Sequence, residues 1–261
     1  MSIRTSYKQG TPSWVDLATT DQDGAKTFYS SLLGWDWNDM DMGDGAFYSM
    51  AQLKGKSAAG AYTQMQDERD MGIPPHWTTY ITVDDVDATA AKVESAGGKV
   101  HVPPFDVFDS GRMTMIEDPT GGVVGLWQAK NHIGSEIVNE PTAFCWAELM
   151  TDDVEKAGAF FEEVLGIQVH NQTDPFPYTM FMIDGSPVGG MMAKTPEMGP
   201  MPNVWINYFA VEDTDSTAAK AESLGGKIMV PPMDIPVGRF AGLTDPQGAM
   251  FSVIRLDNPM P

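Results

Sequence analysis

The segment Trp14-Val15-Asp16-Leu17 and the stretch 21–34 that follows it return as Trp146-Ala147-Glu148-Leu149 and 153–166, with matched residues 132 apart. A chain of 261 residues that repeats at half its length is constrained to fold as two similar halves. Each half, at about 130 residues, is long enough to bury its own core.

Alternation in each copy predicts a strand, with Trp14, Asp16 and Ala18 on one face and Val15 and Leu17 on the other. A carboxylate therefore shares a strand face with a tryptophan. Asp21 and Asp153 are candidate N-caps of helices whose apolar residues (Ala25, Phe28, Leu32; Ala157, Phe160, Val164) recur at helical spacing. Gly34 and Gly166 suit the left-handed position that closes a helix.

A second unit of the same kind lies inside each half. Residues 77–83 read as a strand, Asp85 caps a helix ending at Gly97-Gly98, and three strands follow. Thr89-Ala90-Ala91-Lys92 answers Thr217-Ala218-Ala219-Lys220, and Val102-Pro103-Pro104 answers Val230-Pro231-Pro232. Gly111-Arg112 and Asp118-Pro119-Thr120-Gly121 return as Gly238-Arg239 and Asp245-Pro246-Gln247-Gly248. The chain is thus α+β: four βαβββ modules, at about 12–65, 76–128, 142–194 and 204–256, in the order A-B-A′-B′. They group into an N-terminal domain, 8–130, and a C-terminal domain, 141–258. Stretch 66–75 reads as a linker rich in turn residues and 129–141 as an exposed linker. A single module half-covers its sheet, so pairing two is expected to enclose a cavity fit for a small molecule.

The net charge of −20, with 18 of the 36 Asp and Glu in residues 1–132, argues against nucleic acid and anionic membranes as partners. No apolar run approaches the roughly 20 residues of a membrane span, and no export signal opens the chain. A cytoplasmic location is expected. The single Cys145, beside Trp146 in a predicted strand, reads as a small buried hydrophobe and not a nucleophile. No Walker-type phosphate loop occurs.

The pattern of strand, Val-x-Asp, Ala-x-x-Phe-Tyr and Leu-Gly, followed by an Asp-Pro-x-Gly hairpin, resembles the vicinal oxygen chelate superfamily of glyoxalases, bleomycin-resistance proteins and extradiol dioxygenases. The doubled arrangement is similar to a tandem subgroup of 27 kDa antigens and hydroxylase-type glyoxalase-like proteins. The resemblance implies glyoxalase-like domains with curved mixed sheets. It also implies where a metal would be held: a His seven residues before each helix-capping Asp, and a Glu seven after the Asp of Asp-Pro-x-Gly. Those positions hold Trp14, Thr78, Trp146 and Ile206, then Gly125 and Ser252. None is a good ligand for a divalent cation. Neither His76, His101, His132 nor His170 restores the spacing, so no metal and no other cofactor is expected.

Two residues beyond the lost His positions, Asp16 and Glu148 share the strand face that should look into the cavity. Desolvation there raises a carboxyl pKa and suits an acid–base role. The structural alternative pairs them with Arg112 and Arg239, or with Tyr80 and Tyr208. Trp14, Phe47, Tyr48, Tyr80 and Trp127 in one half, and Trp146, Tyr178, Phe181, Tyr208 and Phe251 in the other, are candidate walls for a planar ligand. Arg112 and Arg239 complete the candidate ligand contacts. Abundant Met, 19 residues, suits adaptable apolar pockets.

These features point to a metal-independent protein that binds a small apolar or aromatic metabolite, for sequestration, resistance or as accessory to a biosynthetic enzyme. The alternative is a lyase, isomerase or hydroxylase-like enzyme using Asp16 or Glu148. A monomer or homodimer is compatible with either. Thr78 to Ile206 and His101 to Met229 predict a drier second site and a first one better able to hold a polar ligand.

Overall fold

The computed structural model describes residues 3–258, apart from the side chain of Glu197. The first half contains β1 (Pro12–Thr19), α1 (Gln22–Leu33), β2 (Asp36–Gly43), β3 (Ala46–Leu53), β4 (Lys56–Thr63), α2 (Gln66–Asp70), β5 (His76–Thr82), α3 (Val86–Val93), β6 (Lys99–Val107), β7 (Gly111–Glu117) and β8 (Val123–Ala129). The second contains β9 (Phe144–Thr151), α4 (Val154–Leu165), β10 (Gln168–Gln172), β11 (Tyr178–Ile183), β12 (Ser186–Ala193), β13 (Val204–Ala210), α5 (Thr214–Ser223), β14 (Lys227–Ile235), β15 (Gly238–Thr244) and β16 (Met250–Leu256).

Each half builds one eight-stranded mixed sheet, ordered β2-β3-β4-β1-β5-β8-β7-β6 and β10-β11-β12-β9-β13-β16-β15-β14. The modules join through their first strands, β1 antiparallel to β5 and β9 antiparallel to β13. Within a module the helix carries the chain back so that the last strand lies parallel to the first. Such a parallel return needs a crossover, which the capped helices provide.

The helix caps form as their sequences predict. Asp21 accepts from the Gly24 amide at 2.9 Å and Asp153 from the Lys156 amide at 2.9 Å. Gly34 and Gly166 close α1 and α4 with φ of 74° and 71°, a conformation that favours glycine.

Strand alternation separates two apolar environments. Val15 and Leu17 face the helices and enter a core shared by both halves, with Tyr29, Trp35, Trp77, Phe161, Trp205 and Phe209 fully or nearly fully buried. Helix α1 meets α5, and α3 meets α4, so the helix-bearing faces of the two sheets seal one another. On the opposite, helix-free face of each sheet lies a smaller cluster, built on Trp14, Tyr80 and Trp127 in the first half and on Cys145, Ala210 and Ile254 in the second.

The first expected linker is exposed and partly helical, whereas the second is not exposed throughout. Residues 66–70 form α2, whose Glu68 carboxylate accepts from the Met65 amide at 2.7 Å. The connector between halves is strapped down: the Ser135 amide donates to the Ser13 carbonyl at 2.7 Å, its hydroxyl donates to the Ala58 carbonyl at 2.8 Å, and Ile137 is fully buried. Polar composition misled because Gly134, Ser135 and Ile137 satisfy backbone groups and fill space at the edge of the shared core.

One break in the near-symmetry of that core leaves polar groups unpaired. Tyr29 accepts from Trp77 Nε1 at 2.9 Å and donates to Asp245 at 3.1 Å. Its repeat partner is Phe161, and the corresponding Trp205 Nε1 and Asp118 Oδ2 are both buried without a hydrogen-bond partner. Phe161→Tyr is expected to satisfy both and stabilise the fold by about 1–2 kcal/mol, whereas Tyr29→Phe should destabilise it by a similar amount. Thermal unfolding of the two variants checks this; an unchanged midpoint for Phe161→Tyr would show that the two groups are already satisfied through water.

Candidate functional site: a buried carboxyl beneath tyrosines

On the helix-free face of the first sheet, register places Trp14 opposite Tyr80 and Asp16 opposite Thr78. Tyr48, from β3, bridges the first strand: Trp14 Nε1 donates to its phenolic oxygen at 2.9 Å, and that hydroxyl donates to Asp16 Oδ2 at 3.0 Å. Tyr80 lies near enough to favour the ionised carboxyl electrostatically, but Asp16 Oδ1 has no hydrogen-bond partner of good geometry. Burial dominates, and it pushes the Asp16 pKa up to about 7 despite the two phenols; Glu68 adds to the rise. Asp16 is 4% exposed.

The second sheet repeats the arrangement. Trp146 Nε1 donates to the Tyr178 hydroxyl at 2.8 Å, and Tyr208 donates to Glu148 Oε1 at 2.9 Å. Burial again raises the carboxyl pKa, opposed by Tyr178 and Tyr208. All four phenols are pushed upward by burial and by the neighbouring carboxyl, so they act as neutral donors.

Glycine makes room for the tyrosines. Gly60, Gly125 and Gly190 pair across the sheet with Asp16, Tyr80 and Glu148. A Cβ added at these glycines would stand 2.1 Å from the Tyr48 hydroxyl, 2.2 Å from the Tyr80 ring and 2.4 Å from the Tyr178 hydroxyl. Gly125 is also where the resemblance would place a metal-binding Glu. A side chain there would expel Tyr80, so this donor set does not fit a divalent cation. Among the described residues no group of three His, Cys, Asp or Glu is arranged to hold a metal.

The two faces differ in what covers them. In the first, the connector brings the His132 ring to 4.5 Å from Trp14, edge to face, and to 5.8 Å from Trp127, whose Nε1 donates to the His132 carbonyl at 2.8 Å. Burial depresses the imidazole pKa to about 4, and Nε2 has no partner. Trp14, Tyr80 and Trp127 are accordingly buried. In the second, Ile254 stands where the first has Trp127, and Trp146, Tyr178 and Tyr208 all remain half-buried. The expectation of a first site better able to hold a polar ligand is met instead by a first face filled by the His132 ring. Two shallow grooves, of about 270 Å³ beside α4 and β10 and about 340 Å³ beside Gln9, Asp84 and Asp184, lie elsewhere.

Several candidate residues lie apart from these clusters. Arg112 grips Asp87 with its guanidinium at 2.7 and 2.9 Å and also approaches Asp106; Arg239 grips Asp215 at 2.6 and 2.9 Å and Asp234 at 3.1 Å. Both sit on the helix-bearing face and tie α3 or α5 to its sheet, so neither pairs with Asp16 or Glu148. Phe47 alternates with Tyr48 and is exposed on the opposite side. Phe181 and Phe251 belong to the shared core. His101 is paired with Glu117 at 2.8 Å. Cys145 is buried, with its thiol pushed upward by desolvation, which leaves it unreactive. Sequence reasoning did not single out His132, Tyr62 or Glu68. Tyr62 stacks on Tyr48 and donates to Glu68 at 3.2 Å, and the place of Tyr62 opposite Tyr48 in the β3–β4 hairpin was the available signal.

Two paired-module sheets, each carrying its cluster at the junction of its two modules, define a tandem glyoxalase-like protein. The chain belongs to the Glyoxalase/Bleomycin resistance protein/Dioxygenase superfamily, whose profile matches residues 11–125 and 143–253. Over 260 residues it is 50% identical to the Mycobacterium tuberculosis protein named "Putative glyoxylase CFP32", covering 98% of each chain. It is 34% identical over 275 residues to "Anthracycline biosynthesis protein DnrV" of Streptomyces peucetius, covering 98% of this chain and 97% of that one. Among solved structures, a Mn(II)-bound glyoxalase from Novosphingobium aromaticivorans matches with a TM-score of 0.67 at 16% identity, over 97% of this chain and 85% of that one. The 2,3-dioxygenase LapB from Pseudomonas sp. KL28 matches with 0.64 at 14% identity, over 98% and 95%. At that identity the likeness is one of fold. No helix among the described residues is long and apolar enough to cross a membrane.

The raised Asp16 pKa has a stability consequence. Between the ordinary aspartate value near 4 and about 7 the folded state holds a proton that the unfolded state has lost, so stability falls as pH rises through this window. The loss is up to about 4 kcal/mol. Asp16→Asn should flatten this dependence, becoming more stable relative to the parent at pH 8 than at pH 5. Denaturant unfolding at the two pH values checks it; an equal difference at both would mean that Asp16 titrates normally.

Proposed function

We propose that this is a metal-independent glyoxalase-like protein that binds a small, planar, apolar metabolite on a helix-free sheet face, through aromatic contact and a hydrogen bond with a buried carboxyl system. The observation that carries the reading is the carboxyl itself, present in both halves. A buried acid costs stability, and here it is retained twice beneath two phenols, inside an otherwise apolar cluster. A carboxyl near neutrality of charge can both donate to and accept from a ligand oxygen. Thioethers on the same strand faces, among them Met50 and Met115, add adaptable contact surface. The anthracycline-biosynthesis name carried by one relative supports a polycyclic aromatic as the first class to try.

Proton transfer by Asp16 or Glu148 is the second reading, favoured by the Asp16 pKa near 7. Titrating the full chain with 1,8-dihydroxyanthraquinone and following tryptophan fluorescence tests the first. Saturable quenching is expected, weakened about tenfold when both Asp16→Asn and Glu148→Gln are present. Unaltered affinity in the double variant would overturn the role of the carboxyls, and turnover of a ligand that the variant still binds would favour catalysis.

A further inference from the structure

Resting on that reading of the sheet faces as binding surfaces, we propose that only the second face is open to ligand, and that it takes one neutral planar ring in the place that the His132 imidazole fills in the first. The two faces are built alike: tryptophan on the first strand, phenol on the third, buried carboxyl between, phenol on the neighbouring module. They differ in what lies over them. The first face has a flat ring standing edge-on to Trp14 and beside Trp127, brought there by its own connector.

The anchoring of that connector shows that the ring is held in place. Gly134 has a φ of 104°, and a Cβ on it would lie 2.3 Å from the Ser13 carbonyl oxygen. Ser135 is bonded to β1 and to β4, and Ile137 is buried in the shared core. His132 thus works as an internal ligand, and its chemistry describes the site: planar, aromatic, small and uncharged. The second half offers the same seat with a narrower wall. Ile254 replaces Trp127, and Trp146 and Tyr208 stay half-buried. A ring set edge-on to Trp146 would be flanked by Ile254 and floored by Tyr208 and Glu148. Apolar surroundings that hold the His132 imidazole neutral would equally disfavour a charged ligand.

Calorimetric titration of the full chain with 1,8-dihydroxyanthraquinone tests the assignment. One equivalent is expected for the parent. Ile254→Trp, which gives the second face the wall of the first, should weaken binding at least tenfold, as should Glu148→Gln. His132→Ala should create a second equivalent that Asp16→Asn then removes. Two equal sites in the parent, or one that responds to Asp16→Asn and not to Glu148→Gln, would overturn the assignment while leaving the general binding reading intact. No binding by either the parent or His132→Ala would overturn both.

Discussion

The structure depends on placing an acid where water is excluded. Asp16 and Glu148 sit on the two central strands, β1 and β9, at the junction of paired modules, each nearly inaccessible to solvent. A carboxyl in that position must be protonated, hydrogen-bonded or both. The surrounding sequence meets that requirement in one consistent way: one phenol reaches in from the adjacent strand of the other module and one from two strands away, and glycines leave space for three of the four. Trp14 and Trp146 then orient Tyr48 and Tyr178 through their indole nitrogens. Removing a glycine would displace a ring, and displacing a ring would leave the carboxyl without a donor.

This arrangement accounts for why a metal-binding scaffold can carry so different a centre. The fold brings the first strands and last strands of two modules together, which is where a metal would draw its ligands. Here the same convergence gathers tyrosine hydroxyls around a carboxyl. Neutral hydrogen-bond donors stand at that convergence, and the proposed binding of a neutral, planar partner rests on them. The duplication has also allowed divergence, with one copy closed by a ring from the connector and the other left half-exposed.

Local patterns made much of this legible in the sequence. The 132-residue repeat, the Asp caps and the closing glycines are rules about a few neighbouring residues, and they hold in α1 and α4. Strand parity likewise placed Trp14, Asp16, Trp146 and Glu148 on one face. Parity applied with equal care would have excluded Phe47, since it alternates with Tyr48, and Phe181, which alternates with Met180. What could not be read was long-range. Arg112 and Arg239 are drawn to carboxylates on α3 and α5 because of how helix and sheet pack, and His132 reaches Trp14 only because the connector folds back over the first sheet. The burial of the connector escaped for the same reason: its partners, Ser13 and Ala58, are more than 70 residues away.

If tyrosines and a buried carboxyl occupy the place of the metal, the protein carries no divalent ion there. Native mass spectrometry of the freshly purified full chain, with metal analysis of the same sample, tests it most directly. The expected mass is that of the polypeptide, alone or with an organic adduct, with no stoichiometric divalent ion. A manganese, iron, nickel or zinc ion retained at one or two equivalents and lost on substitution of Asp16 or Glu148 would contradict it.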